Sequence, residues 1–319
     1  MQDFRILDGG AGSELQDLGF HVNEDPLWSA RLLHTNPNAI KQLHKSFLEA
    51  GADILVTVTY QATVEGFRKY LQLTTERAVN LIKLGVRLAR EACREVPGKG
   101  KERLVAGSVG PYGVFLHDGS EYSGSYVDNM SNERDKTKVE RIHLGINVNE
   151  LIDWHRPQVA ALVEAGVDML AVETIPSLKE AEAILRLLKE FPAAKAYVTF
   201  SCKDGRNLCH GEEFSDAIQK VMTSDQVIAS GLNCTHPSHV SELLDSLRPL
   251  QLTKPIIVKP NSGEDWESGV GWFGRGEDSP LENHVSDWIK RGATWIGGCC
   301  RIKPRDIKSL GEEIKKINR

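Results

Sequence analysis

Apolar runs of four to seven residues recur along the 319-residue chain, each followed by a polar or glycine-rich turn and then by a stretch of helical period. They lie at 4–7, 53–58, 103–109, 168–173, 196–201, 227–233, 255–259 and 294–298. Helical spacing marks 36–50, 74–95, 147–165, 177–190, 213–222, 237–247, 280–291 and 304–317. The first of these opens on Asn36 as cap and Pro37 in the first turn, then sets Ile40, Leu43, Phe47 and Leu48 on one face. Strand then helix, eight times over, with nearly continuous apolar strands, predicts a closed parallel barrel. The expected fold is therefore α/β, a single (β/α)8 TIM barrel spanning residues 1–319, with its chemistry at the C-terminal rim of the strands.

Two segments stand outside that rhythm. Residues 110–131, GPYGVFLHDGSEYSGSYVDNMS, form the longest irregular stretch, and its length marks it as a lid. Residues 261–278 form a second loop, rich in glycine and tryptophan. Both leave the C-terminal ends of strands.

Composition narrows the class. Hydrophobic residues make up 40% of the chain and charged residues 26%, the proportions of an ordinary globular protein, and no apolar run reaches membrane-spanning length. The N-terminus, MQDFRILDGG, carries Asp3 and turns directly into a strand, which is not the layout of a secretion signal, so a cytoplasmic location is expected. A net charge of −5 offers no electrostatic footprint for nucleic acid. The expected partners are small molecules, with no nucleic acid and no membrane.

Six cysteines are too sparse for a disulfide scaffold in a chain this long, and in a reducing compartment clustered cysteines point to metal or catalysis. Cys234 ends the sixth apolar run, and Cys299 and Cys300 follow the eighth across Gly297 and Gly298. The separation (299 − 234 = 65 residues) is what two strand–helix units fill, so the three sulfurs are read as ligands of one Zn2+ ion at the barrel rim. The two glycines are expected to permit the sharp backbone bend that brings adjacent cysteines to one ion. Buried packing as small hydrophobes and a disulfide are the competing readings. Three protein ligands leave a catalytic position open, whereas a structural zinc normally has four. A non-catalytic zinc or redox-sensing barrel is the alternative from another class. A zinc hydrolase fits poorly, because no H-E-x-x-H motif is present.

Acids also fall at the rim. Asp8 ends the first strand and Glu173 the fourth, where a carboxylate needs a partner such as a substrate ammonium or a helix N-terminus. The glycines of DGGAGS are placed to offer backbone amides to an anion, but they do not make a dinucleotide fingerprint. Cys93, Cys209 and His210 keep structural readings, Cys202 after the fifth strand is the one competitor for a ligand role beside three better-placed thiols, and His236 and His239 lack the paired cysteines of a zinc finger.

Taken in order, DGGAGSEL, TVTYQAT, SVGPYGVFLHDGSEYSGSY, VETIPS, GLNC and IGGCC resemble the homocysteine S-methyltransferase family over nearly the whole chain. The GPYG…DGSEYSG segment is similar in particular to the branch that uses S-methylmethionine or S-adenosylmethionine. The resemblance implies zinc held by Cys234, Cys299 and Cys300, a homocysteine amino group held by Asp8 and Glu173, and a substrate pocket lined by Tyr60 and Gln61. It implies methyl transfer from a sulfonium donor to the homocysteine thiol, forming methionine. The lid 110–131 is then expected to exclude water, and Phe115, Tyr122 or Trp272 to face the sulfonium. The chain ends one helix after GGCC, without the oligomerisation segment of the betaine-dependent branch or the additional modules of the large methionine synthase, so a monomer or weak oligomer is expected.

Overall fold

The structure, a computed structural model, describes residues 3–98, 101–128, 145–267, 271–273 and 280–317. Each of the eight apolar runs holds a strand: β1 (Arg5–Ile6), β2 (Ile54–Val56), β3 (Leu104–Val109), β4 (Met169–Ile175), β5 (Ala196–Phe200), β6 (Val227–Asn233), β7 (Ile256–Lys259) and, after an antiparallel pair β8 (Asp265–Glu267) and β9 (Gly271–Phe273), β10 (Ala293–Ile296). The barrel strands pair in parallel in the order β1-β10-β7-β6-β5-β4-β3-β2. A parallel bridge between Leu7 and Ile54 joins the two ends of that order, aided by the Asp53 N–H donating to the Ile6 carbonyl at 2.7 Å. The sheet is thereby closed.

Closure divides the apolar residues into two packing layers. Leu7, Ile54, Val56, Ala106, Met169, Ala171, Tyr197, Ala229, Ile257 and Trp295 fill the barrel, while a larger set packs sheet against helices. With both faces buried the strands need no polar alternation, which explains their continuous apolar runs. Period two along a strand then decides which rim residues point inward. Ser108 follows Ala106 on β3, Glu173 follows Ala171 on β4, and Lys259 follows Ile257 on β7, so all three face the barrel axis at its top.

The helices are α1 (Ala11–Asp17), α2 (Leu32–Thr35), α3 (Pro37–Ala50), α4 (Val64–Leu71), α5 (Thr75–Glu95), α6 (Gly113–Leu116), α7 (Val148–Glu164), α8 (Leu178–Leu188), α9 (Phe214–Met222), α10 (Val240–Leu247), α11 (Val285–Lys290) and α12 (Pro304–Ile317). Local chemistry sets their ends. The Asn36 side chain accepts from the Ala39 N–H at the start of α3, and Gly51, at φ 108°, ends it. Asn147 and Glu150 form a capping box on α7. Among the described residues no helix is long and apolar enough to cross a membrane.

The glycines of DGGAGS lead directly into α1, which begins at Ala11. Two expectations are corrected. The stretch 110–128 is ordered by α6 and two 3-10 turns (Ser120–Tyr122 and Ser125–Val127), and its last expected residues, 129–131, lie outside the described residues. The loop 261–278 contains the antiparallel β8–β9 pair, while its residues 268–270 and 274–278 lie outside the described residues.

The stretch 110–128 owes its order to a carboxylate distant in sequence. Fully buried Glu180, in the first turn of α8, accepts from the Tyr112 N–H at 2.7 Å and from the Tyr126 hydroxyl, and pairs with His155 Nε2 at 2.8 Å. Lys179 Nζ donates to the Val127 carbonyl at 2.8 Å. Close packing adds to this, since a Cβ on Gly113 would lie 2.6 Å from the Glu121 nitrogen.

Candidate active site

One cavity at the C-terminal rim is lined by all seven residues that the sequence marks out: Asp8, Tyr60, Gln61, Glu173, Cys234, Cys299 and Cys300. Two groups of side chains face each other inside it.

The first group is the sulfur cluster. The three Sγ atoms lie within 4.8 Å of one another. Cys234 and Cys299 are paired here as a disulfide, with Cα atoms 5.5 Å apart, and Cys300 Sγ is 3.9 Å from Cys234 Sγ. Burial pushes the Cys300 thiol up to about 11, against the opposing pull of the Lys259 charge, so the group stays protonated at neutral pH. Thiols gathered this closely are soft donors suited to a metal ion such as zinc, and a cation among them would reverse the burial effect. In the reduced state the cluster is therefore placed to hold a metal ion.

Backbone geometry builds that cluster. Cys234 sits at φ 48°, a left-handed conformation unusual for a side-chain-bearing residue, and its N–H donates to the Lys259 carbonyl. Thr174, at the end of β4, is held at φ 61°. Asn233 fixes both strand ends: its Oδ1 accepts from the Thr174 N–H at 2.7 Å, and its Nδ2 donates to Thr174 Oγ1 at 2.7 Å and to Cys299 Sγ at 3.8 Å. Such conformations cost about 1–3 kcal/mol each, so neighbouring contacts must hold them.

Gly297 and Gly298 serve differently from the expectation. Neither is among the residues at positive φ, so no left-handed bend is made there. A Cβ on Gly297 would lie 2.8 Å from the Asp8 carbonyl oxygen, and one on Gly298 2.2 Å from the Ile302 side chain. The glycines let the two cysteines pass close beneath their neighbours.

The second group is ionic. Asp8 Oδ2 accepts from the Val56 N–H at 2.7 Å, and its Oδ1 lies 3.4 Å from Lys259 Nζ. The same ammonium is 3.7 Å from Glu173 Oε2, while Glu173 Oε1 accepts from the Ser108 hydroxyl. Burial pushes the Asp8 carboxyl up to about 6, against the opposing pull of the Lys259 charge and the Val56 N–H. Two carboxylates thus converge on one cation. Lys259 was not anticipated, although it ends the apolar run PIIVK just as Asp8 and Glu173 end theirs.

The aromatic expectations divide. Tyr122 lines the cavity and lies near Cys300. Phe115 does not: its ring packs on Trp154 at 4.6 Å, and Lys69 Nζ lies 5.4 Å from its centroid. The side chain of Trp272 lies outside the described residues. Trp28, unmarked in the sequence, lines the cavity from a backbone at φ 45°. Tyr60 places its hydroxyl against Thr174, and burial raises that phenol well above its ordinary range.

Comparison with known proteins supplies the class of chemistry. Residues 5–314 match the family profile described as homocysteine S-methyltransferase. A homocysteine S-methyltransferase of Bacillus subtilis, YbgG, is 41% identical, with 98% of this chain and 95% of that protein covered. A betaine-homocysteine S-methyltransferase of Drosophila melanogaster is 39% identical over 97% of this chain and 94% of its own. Among solved structures, the homocysteine methyltransferase MmuM of Escherichia coli superposes in its metallated form with a TM-score of 0.81 at 36% identity, covering 98% of this chain and 96% of that one, and in its oxidised form with 0.82. This chain belongs to the homocysteine S-methyltransferase family.

Proposed function

We propose that this protein transfers a methyl group from a sulfonium donor, S-methylmethionine or S-adenosylmethionine, to the thiol of L-homocysteine, giving methionine. The carrying observation is the meeting of three cysteines from two strand ends, their sulfurs within 4.8 Å, beside a carboxylate pair in one cavity. Cys234, Cys299 and Cys300 would hold zinc, which supplies the charge that keeps the homocysteine sulfur deprotonated at neutral pH.

The chain's own residues do the rest. Asp8 and Glu173, already arranged around a cation, accept the α-ammonium of homocysteine and aim its side chain toward the sulfurs. The first turn of α1 also lines the cavity. A new bond joins the homocysteine sulfur to the methyl carbon, and the bond from that carbon to the donor sulfur breaks with its electron pair staying on the donor. Thiolate and sulfonium become two neutral thioethers, so charge is lost toward the transition state. Surroundings that exclude water favour such a step, and the lid tied down by Glu180 helps to enclose it.

The Cys234–Cys299 pairing is the observation that favours the redox-sensing alternative. Methionine formation from homocysteine, assayed on reduced, zinc-supplemented protein with S-methylmethionine, S-adenosylmethionine and betaine in competition, separates the readings. Transfer from a sulfonium that disappears in Cys299→Ala supports the proposal. No transfer from any donor, or full activity in that variant, overturns it.

A further inference from the structure

We infer that Glu121 is the donor-specificity residue of this cavity: its carboxylate receives the α-ammonium group of an amino-acid sulfonium donor. The inference rests on the sulfonium reading above and goes beyond it by naming the group that selects the donor.

Glu121 belongs to the 3-10 turn Ser120–Tyr122 of the lid and lines the cavity with Trp28, Tyr60 and Tyr122. Its Oε2 is buried and finds no hydrogen-bond partner among the described residues. A buried carboxylate oxygen with no donor is costly and is retained where a ligand completes it. Burial accordingly raises the Glu121 carboxyl above its ordinary range, with Asp118 acting in the same direction.

What completes it must be a hydrogen-bond donor carrying positive charge. A sulfonium has no proton to give, and neither has the quaternary nitrogen of betaine, so neither group can satisfy Oε2 by a hydrogen bond. A primary ammonium can. The homocysteine ammonium is accounted for by Asp8 and Glu173 on the barrel strands, whereas Glu121 is presented by the lid. Its neighbour Tyr122 lies near Cys300, which places this part of the lid close to the sulfurs where the methyl group is delivered. The remaining ammonium in the reaction is that of the donor. A donor held by its amino group at Glu121 keeps its sulfonium for the aromatic rings of Trp28 and Tyr122.

The test uses two donors on the reduced, zinc-loaded protein: S-methylmethionine, and 4-(dimethylsulfonio)butanoate, which keeps the sulfonium, the carboxylate and the chain between them but lacks the ammonium. In Glu121→Gln, KM for S-methylmethionine rises about 10- to 100-fold, the range expected for one charge-assisted hydrogen bond, while KM for homocysteine is unchanged. The des-amino donor is used equally by variant and wild type. Glu121→Asp, which keeps the charge, recovers part of the preference. The ratio of kcat/KM for the two donors within one preparation is insensitive to how much of it is folded, so a damaged variant cannot imitate the result. An equal fall with both donors, or no fall with S-methylmethionine, overturns the inference and leaves the proposed function standing. A wild-type protein that uses no sulfonium donor overturns both.

Discussion

Asp8→Asn converts the electrostatics of the cavity into a stability measurement. The Asp8 carboxyl stands at about 6 in the folded chain against an ordinary value of 3.8, with burial as the largest cause. That difference corresponds to about 3 kcal/mol of disfavoured ionisation. Between the two values the folded protein binds more protons than the unfolded one, so this group lowers stability as pH rises from about 4, and the penalty is fully developed above about pH 6. Asparagine has nearly the same shape, keeps an acceptor for the Val56 N–H and does not titrate. The stability of the variant relative to wild type should therefore shift by about 3 kcal/mol in its favour over the full range, of which about 1.4 kcal/mol falls between about pH 5 and pH 8. Urea unfolding of the reduced, metal-free proteins at a series of pH values measures this directly, and homocysteine affinity should fall in the same variant. Parallel pH profiles, or a wild type that gains on the variant as pH rises, would refute the reasoning.

Lys259→Met leaves Asp8 and Glu173 facing each other without their cation; stability should fall by about 3–5 kcal/mol near pH 8 and by less near pH 5, where Asp8 takes up a proton. Homocysteine should raise the unfolding temperature of that variant more than that of wild type, because its ammonium enters the space between the two carboxylates. His44 is buried on α3, both ring nitrogens lack hydrogen-bond partners among the described residues, and burial holds it down to about 4. Wild type should therefore lose about 3 kcal/mol as pH falls from about 6.5 to about 4, and His44→Leu should escape that loss in chemical denaturation at acid pH.

How far these features are legible in the sequence depends on the range over which each is determined. The eight strands are legible because a barrel buries both faces of each, leaving an apolar run that needs no partner to be recognised. Asn36, Thr74 and Ser177 cap their own helices a few residues away, so those boundaries are legible too. Cys234, Cys299, Cys300, Asp8 and Glu173 stand out as polar residues at the ends of apolar strands, and the same signal, applied evenly, would have found Lys259. The order of the stretch 110–128 was not legible. It comes from Glu180, 68 positions beyond Tyr112, acting through contacts that no local pattern records. Nor was the reason for Gly297 and Gly298, since close approach to Asp8 and Ile302 exists only once the chain has folded. Trp28 and Glu121 look like surface residues in sequence and become part of the cavity through the turns that carry them.

The most direct test of the central claim is X-ray absorption at the zinc edge of the reduced, zinc-loaded protein, before and after homocysteine is added. Sulfur neighbours at about 2.3 Å should number about three without homocysteine and about four with it. Fewer than three sulfur neighbours, or a shell unchanged by homocysteine, would contradict the account.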